Sequence, residues 1–281
     1  MAKPFKIRAA SPAEADEVAA FCAGRGHDPA TREIKRRRRQ WVESMGARGL
    51  HIVWAVDGAP PAQLEFPEGP VSREELTLLT DGLAVGLLEY VPVEETWCPV
   101  TGHRWWFVDC LWVIPPYLKQ GVGRGLVAEV IRAARVDATG VAVVAWRGSS
   151  PAPDWAYMPA AFFKALGFEA VEGDGDRVLM AASYGSSERP ALIRGAGGGT
   201  EGVEFLCHAS CPATMWAAAA IRDGAFREPV KVVEIGGREE SHRRGVLYGV
   251  CRDGRVVVNR PAFKSDVEAV VGPGEKRDDG A

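Results

Sequence analysis

The chain has 281 residues, with 34 Lys plus Arg against 37 Asp plus Glu for a net charge of −3, and is 47% hydrophobic and 25% charged. That length accommodates one large domain or two smaller ones, and the balance is that of an ordinary soluble globular protein. It makes no overall case for nucleic acid or a membrane as partner, holds no run of about 18 apolar residues, and opens without the apolar core of a secretion signal, so a cytoplasmic location is expected.

Taken in order, residues 5–8 read as a short strand. Ser11 with Pro12 and Glu14 marks a capped helix start. A second helix is expected over residues 29–47. It carries the run Lys35-Arg36-Arg37-Arg38-Arg39 beside apolar Ile34, Trp41, Val42 and Met45, and the run reads as a solvated face rather than a polyanion patch. Strands follow at residues 51–56 and 83–91, separated by a Pro- and Glu-rich stretch that reads as a loop or short helix. Residues 105–113 form the next strand. The helix after it reaches about residue 136, with Leu126, Val127, Val130, Ile131 and Ala134 on one stripe. Residues 141–146 are a buried strand, 158–166 a helix closed by Gly167, and 177–183 a strand.

The link from the strand at 105–113 to its helix holds the strongest chemical signal, CLWVIPPYLKQGVGRGL over residues 110–126. A helix start leaves about four backbone N–H groups without partners and adds partial positive charge. Gly121, Gly123 and Gly125 lack a Cβ that would keep a phosphate away, so the segment reads as a pyrophosphate cradle. A Walker loop would need Lys-Ser or Lys-Thr after the glycines, and a dinucleotide fingerprint would need GxGxxG directly after the strand. Neither is present. The spacing instead resembles motif A of the GNAT acetyltransferases, LxVxPxYxxxGxGxxL, at Leu111, Val113, Pro115, Tyr117, Gly121, Gly123 and Leu126. Residues 160–168, AAFFKALGF, resemble motif B of the same family, AxxFYxxxGF.

This resemblance covers most of residues 1–184 and implies the GNAT fold, a mixed and mainly antiparallel sheet flanked by helices. It implies acetyl-CoA as co-substrate, held by Leu111, Trp112, Val113, Leu118, Lys119, Gln120, Gly121, Val122, Gly123, Arg124 and Gly125, with Phe163 nearby. Two positions depart from the pattern. Leu118 stands where the family usually has Arg or Gln, and Phe163 stands where it has the Tyr that serves as acid.

Direct transfer to an amine needs a base, for which Asp109 and Glu89 are the candidates. Asp109 is expected on the face of Val113, and Tyr157 is the substitute acid. A covalent route through Cys110 would take His103 as its base. Cys110 is expected on the opposite face from Asp109, in a packing role. Trp97, Trp105, Trp106, Trp112, Trp146 and Trp155 could line an acceptor pocket or belong to the core. The acceptor itself, a small-molecule or peptide amine, is not legible, and a homodimer is left open.

Residues 185–201, rich in Gly and Ser, read as a linker between a first domain at 1–184 and a second at 202–281. The second shows a strand at 203–206, a helix opened by Cys211-Pro212 and ended by Gly224, and a strand at 230–235. A short helix near 238–243, a hairpin of 246–250 with 256–258 turning at Asp253-Gly254, and a helix near 264–271 follow. This order resembles a small thioredoxin-like α/β domain, degenerate because Thr214 replaces the second Cys of Cys-x-x-Cys. The helix start gives Cys211 a means of lowering its thiol pKa, with Cys207 as neighbour. Cys207, His208, Cys211 and Cys251 match no common zinc spacing, so no metal is expected. The six widely spaced cysteines suit a reducing compartment. End to end, the chain resembles the YoaP-type members of the GNAT family. The rival readings are a CoA-binding sensor or scaffold without turnover, and a thiol-based redox or metal-handling protein acting through Cys211.

Overall fold

The computed structural model describes residues 5–24, 26–148, 158–185, 188–195, 201–224 and 226–272. Two compact units emerge, one of residues 1–96 and 100–192, the other of 97–99 and 193–281.

The first unit contains β1 (Phe5–Ala9), α1 (Ala15–Ala23), α2 (Pro29–Gly46), β2 (His51–Asp57), β3 (Gln63–Phe66), β4 (Gly69–Ser72), β5 (Leu78–Leu79) and β6 (Gly82–Pro92). It continues with β7 (Val100–Thr101), β8 (Trp105–Val113), α3 (Val122–Asp137), β9 (Gly140–Trp146), α4 (Ala160–Lys164), β10 (Glu169–Asp174), β11 (Arg177–Ser183) and β12 (Ala191–Leu192). The main sheet runs β1-β2-β6-β8-β9-β11-β10. All its pairings are antiparallel except β8 with β9. The expected mixed, mainly antiparallel sheet is therefore present.

Local chemistry accounts for the boundaries. Ser11 and Glu14 form a reciprocal capping box before α1, and the Asp28 carboxylate accepts from the Thr31 amide at 3.0 Å to start α2. The stripe on α3 buries Leu126, Val127, Val130 and Ala134 against the sheet. Gly125 allows this close approach, since a Cβ there would lie 3.1 Å from the Phe5 ring.

Several expectations change. The Pro- and Glu-rich stretch is the hairpin of β3 and β4 with the short strand β5. Its pairing comes from a partner segment, which composition alone does not reveal. The helix expected over 158–166 is only the five residues of α4. β10, with its alternation broken by a bulge between Ala170 and Glu172, was not expected at all. Within the segment expected to be a linker, Ala191 and Leu192 pair with Thr101 and Val100, and Leu192 is buried.

The second unit holds β13 (Val203–Cys207), α5 (Pro212–Arg222), β14 (Val230–Glu234), α6 (Arg238–Arg244), β15 (Gly249–Arg252), β16 (Arg255–Val258) and α7 (Lys264–Val271). Its sheet order is β14-β13-β15-β16, with β13 and β14 parallel and the other pairs antiparallel. The hairpin lies three residues later on its first strand than expected, because residues 246–248 precede the sheet. Val246 and Leu247 are buried there, so their apolar run marks core rather than strand. Trp97 joins this unit by stacking on His208 with ring centroids 4.3 Å apart.

Candidate functional site

The site forms where β8 leaves β9. The parallel pairing of β8 with β9 ends at Val108 and Val143, after which β9 continues beside β11 and β8 beside β6 alone. Ile114 N–H donates to Val85 O at 3.1 Å. Counting back by the antiparallel alternation, Trp112 and Cys110 turn their backbone groups toward β6. Leu111 and Val113 turn theirs away from it, into the opened side of the sheet. A strand edge with donors and acceptors exposed inside a split can hold an extended amide chain.

The chain then makes a tight turn at Pro115–Tyr117. The Tyr117 hydroxyl donates to the Asp57 carboxylate at 2.6 Å, pinning the turn to the end of β2. Burial and that anion both push the Tyr117 pKa upward, keeping the hydroxyl protonated. Lys119 has φ 60° and Gly121 φ 86°, both left-handed. Among the described residues, no protein acceptor is paired with the backbone N–H groups of residues 119–124. The first intrahelical bond is that of Gly125 N–H to Gly121 O, at 3.0 Å. Lys119 and Arg124 are exposed and, among the described residues, have no ion-pair partner. Six consecutive donors, a helix start and two available cations fit a pyrophosphate.

The glycines divide into two roles. Gly121 meets open space and is required by its φ. Gly123 and Gly125 are packing glycines, since a Cβ at Gly123 would lie 3.2 Å from the Phe162 ring. The expectation that all three admit the phosphate is therefore corrected. Val122 contributes its amide, while its side chain is buried beneath Gly86. Leu118, in place of the usual Arg or Gln, is 46% exposed.

Phe163 does not reach this loop. It is fully buried, edge-to-face with Phe162 and Phe168 at 5.1 and 5.5 Å, so the expectation that it contacts the coenzyme is corrected. Phe162 is the ring beside the helix start. Tyr157 and Trp155 lie outside the described residues. Trp105 is core and Trp97 belongs to the second unit.

A bulge on β8 rearranges the carboxylates. Glu89 pairs with Cys110 and Tyr90 with Val108, leaving Asp109 as the extra residue. The bulge resets the alternation. Leu111 faces α3, approaching Gly123, while Cys110 shares a face with Glu89 on the opposite side. Asp109 lies with them, within the electrostatic reach of Glu89 and Arg38. The expected placement of Asp109 with Val113, and of Cys110 opposite Asp109, is thereby reversed.

The Asp109 carboxylate accepts from the Thr96 hydroxyl at 2.7 Å. Burial pushes its pKa up to about 7, with Glu89 adding to the rise and Thr96 and Arg38 opposing it. Glu89 is 1% exposed and ion-paired to fully buried Arg38, so it is not placed to exchange protons as a base. His103 lies at the far end of β8 from Cys110, 3.3 Å from Glu94, which leaves the covalent route without its base.

Sequence reasoning missed Thr96, Arg38 and Phe162. Arg38 carried a readable signal, for it falls in phase with Ile34, Trp41, Val42 and Met45 on the buried stripe of α2. Its neighbours Arg36 and Arg39 are solvated, paired with Glu33 and Glu43.

Residues 62–168 match the Acetyltransferase (GNAT) family. The matched residues belong to the first unit apart from residues 97–99. An uncharacterized N-acetyltransferase YoaP of Bacillus subtilis is 23% identical over 184 residues, spanning 61% of this chain and 71% of that protein. Among solved structures, a GNAT family acetyltransferase from Brucella melitensis in complex with acetyl-CoA is 15% identical. It covers 66% of this chain and 90% of its own, at a TM-score of 0.38. A PaiA N-acetyltransferase from Thermoplasma acidophilum with coenzyme A is 12% identical, covering 64% and 99%, at 0.41.

In the second unit, Cys211 is the N-cap of α5 and half-buried, whereas Cys207 is fully buried with its Sγ 3.7 Å from Val233 O. None of the six cysteines is in a disulfide. Thr214, in the place of a second Cys, is buried and donates to the Cys211 carbonyl at 2.8 Å. It closes the first turn of the helix. Burial raises the Cys251 thiol to about 11. Among the described residues no metal-ligand cluster occurs, and no helix is long and apolar enough to cross a membrane.

Proposed function

We propose that the GNAT domain transfers an acetyl group from acetyl-CoA directly to an amine, with Asp109 as general base. The single observation that carries this reading is the row of unpaired amides at residues 119–124, lying next to a strand edge with open backbone groups at Leu111 and Val113. The amides, with Lys119 and Arg124, would hold the diphosphate of the coenzyme. The Leu111 and Val113 edge would take its amide-bearing arm, and the Val113 N–H would polarise the thioester carbonyl.

Asp109 is suited to take the proton of the attacking amine. Its pKa near 7 lets it accept a proton at neutral pH and yet ionise there. It sits at the bulge where the split opens, and Thr96 fixes one of its oxygens. The amine nitrogen forms the new bond to the acetyl carbon, its proton passes to Asp109, and the coenzyme departs as its thiol after protonation. With Phe163 in the core, the proton for the thiolate comes from solvent. A coenzyme thiol leaves readily enough for this to suffice.

For the second unit we propose a thioredoxin-like module without disulfide reductase activity. The β14-β13-β15-β16 order and the placement of Cys211 at the start of α5 support the likeness, while Thr214 argues against reduction. The test of the whole reading is release of coenzyme thiol from acetyl-CoA by the full chain across a panel of small amines and amino-terminal peptides. Amine-dependent release is expected. Release at the rate of buffer with every class of amine would overturn it.

A further inference from the structure

Transfer by Asp109 leaves two charges without a part in the chemistry, although the fold buries both. Arg38 on α2 is fully buried and ion-paired to Glu89 on β6, itself 1% exposed. A buried ion pair is weak as a device for stability, since the desolvation of two charges offsets most of their attraction. Its position suggests another use. Glu89 and Asp109 meet on one face of β6 and β8, at the bulge. Two neighbouring carboxylates repel, and one of them has its pKa strongly raised.

We propose that Arg38, by pairing with Glu89 and balancing its charge, is a positioning residue that sets the proton affinity of Asp109. The inference rests on the preceding reading only for its functional meaning, because Asp109 can be titrated without any acceptor.

The groups that face Asp109 can be named by element. From β6 comes the Glu89 carboxylate, which raises its proton affinity, and from α2 the Arg38 guanidinium, which lowers it. From the segment ahead of β7 comes the neutral Thr96 hydroxyl, bonded directly. Cys110 adjoins it on β8, and Cys22 on α1 places its Sγ 3.9 Å from Arg38 Nη2. The guanidinium is further held over the Trp41 ring at 4.6 Å. A planar cation that pairs with a carboxylate while lying on an aromatic face suits Arg and not Lys. The arrangement divides the labour. Glu89 is engaged by its ion pair with Arg38, and Asp109, bonded by the Thr96 hydroxyl, is left to trade a proton near neutrality.

The decisive experiment follows the Asp109 carboxyl by carbon-13 NMR titration of the full chain, assigned by the signal lost in Asp109→Asn. The wild-type midpoint should lie near 7. Glu89→Gln removes the anion and keeps the cation, so the midpoint should fall by about one unit, a tenfold change in proton affinity. In Arg38→Met/Glu89→Leu both charges leave together, and the midpoint should stay within about half a unit of wild type. A midpoint unchanged or raised in Glu89→Gln, or moved by more than about one unit in the double variant, would overturn the proposal. If Glu89→Gln does not fold, the double variant decides alone. Midpoints that behave as stated, in a chain whose Asp109→Asn form keeps its kcat/KM, would instead refute Asp109 as the base and leave the role of the pair intact.

Discussion

Replacing Asp109 by Asn should separate activity from stability in opposite directions. Folding raises the Asp109 pKa from 3.8 to about 7, so the native state binds its proton more tightly than the unfolded chain does. Between those values the native state carries more protons, and stability therefore declines as pH rises through that window and levels off above it. At ~1.4 kcal/mol per unit, the ionised carboxylate costs up to about 4 kcal/mol at pH 8. Because Asp109 keeps part of its surface, about 2 kcal/mol is the working figure. Asn retains an oxygen for the Thr96 hydroxyl without the charge. Relative to wild type, the variant should be little changed near pH 4 and should melt roughly 4–8 °C higher at pH 8. Its kcat/KM should fall by about 10²–10⁴. Thermal melts across pH, run beside the acetylation assay, provide the check. A variant no more stable than wild type at pH 8, or one with undiminished kcat/KM, would refute the reasoning.

Three further outcomes follow from the same geometry. Phe163→Tyr, which restores the residue usual in the family, should not raise kcat. It should cost about 1–3 kcal/mol in melts, because its hydroxyl would enter a fully buried aromatic cluster. Gly121→Ala meets no steric obstacle but must hold φ 86°, so acetyl-CoA affinity by calorimetry should weaken by about 5–30-fold, equivalent to 1–2 kcal/mol. Native alkylation read by mass spectrometry should modify half-buried Cys211 before Cys207 and Cys251, which are buried and, for Cys251, held protonated up to about 11. Equal labelling of the three would contradict the placement of Cys211 at the helix start.

Much of this architecture is legible in the sequence where one periodicity dominates. The strand at Trp105–Val113 and the helix at Lys264–Val271 fall on the expected residues, because each has an uninterrupted pattern and a clear stop. The amide-rich turn is likewise readable, since Pro115 and Gly121 fix backbone geometry by themselves. The bulge at Asp109 is not. It arises from how β6 and β8 register against one another, and a strict period of two then assigns every side chain before it to the wrong face. Thr96 and Asp109 lie thirteen positions apart, and nothing local marks the hydroxyl as a partner. Arg38 is the instructive case. Within a run of five basic residues its charge hides its phase, although the apolar stripe of α2 passes through it. Phe162 and Phe163 show the reverse problem, as the family pattern directs attention to the second ring while the first lies beside Gly123.

The central claim is that the turn and helix start at residues 119–124 hold a diphosphate. Isothermal titration of the full chain with acetyl-CoA tests it most directly. The account predicts saturable binding of one coenzyme per chain in the micromolar range, weakened by Lys119→Ala/Arg124→Ala and competed by coenzyme A. A chain that takes up no heat with acetyl-CoA at about millimolar concentration, the weak end of ordinary substrate affinity, would contradict it.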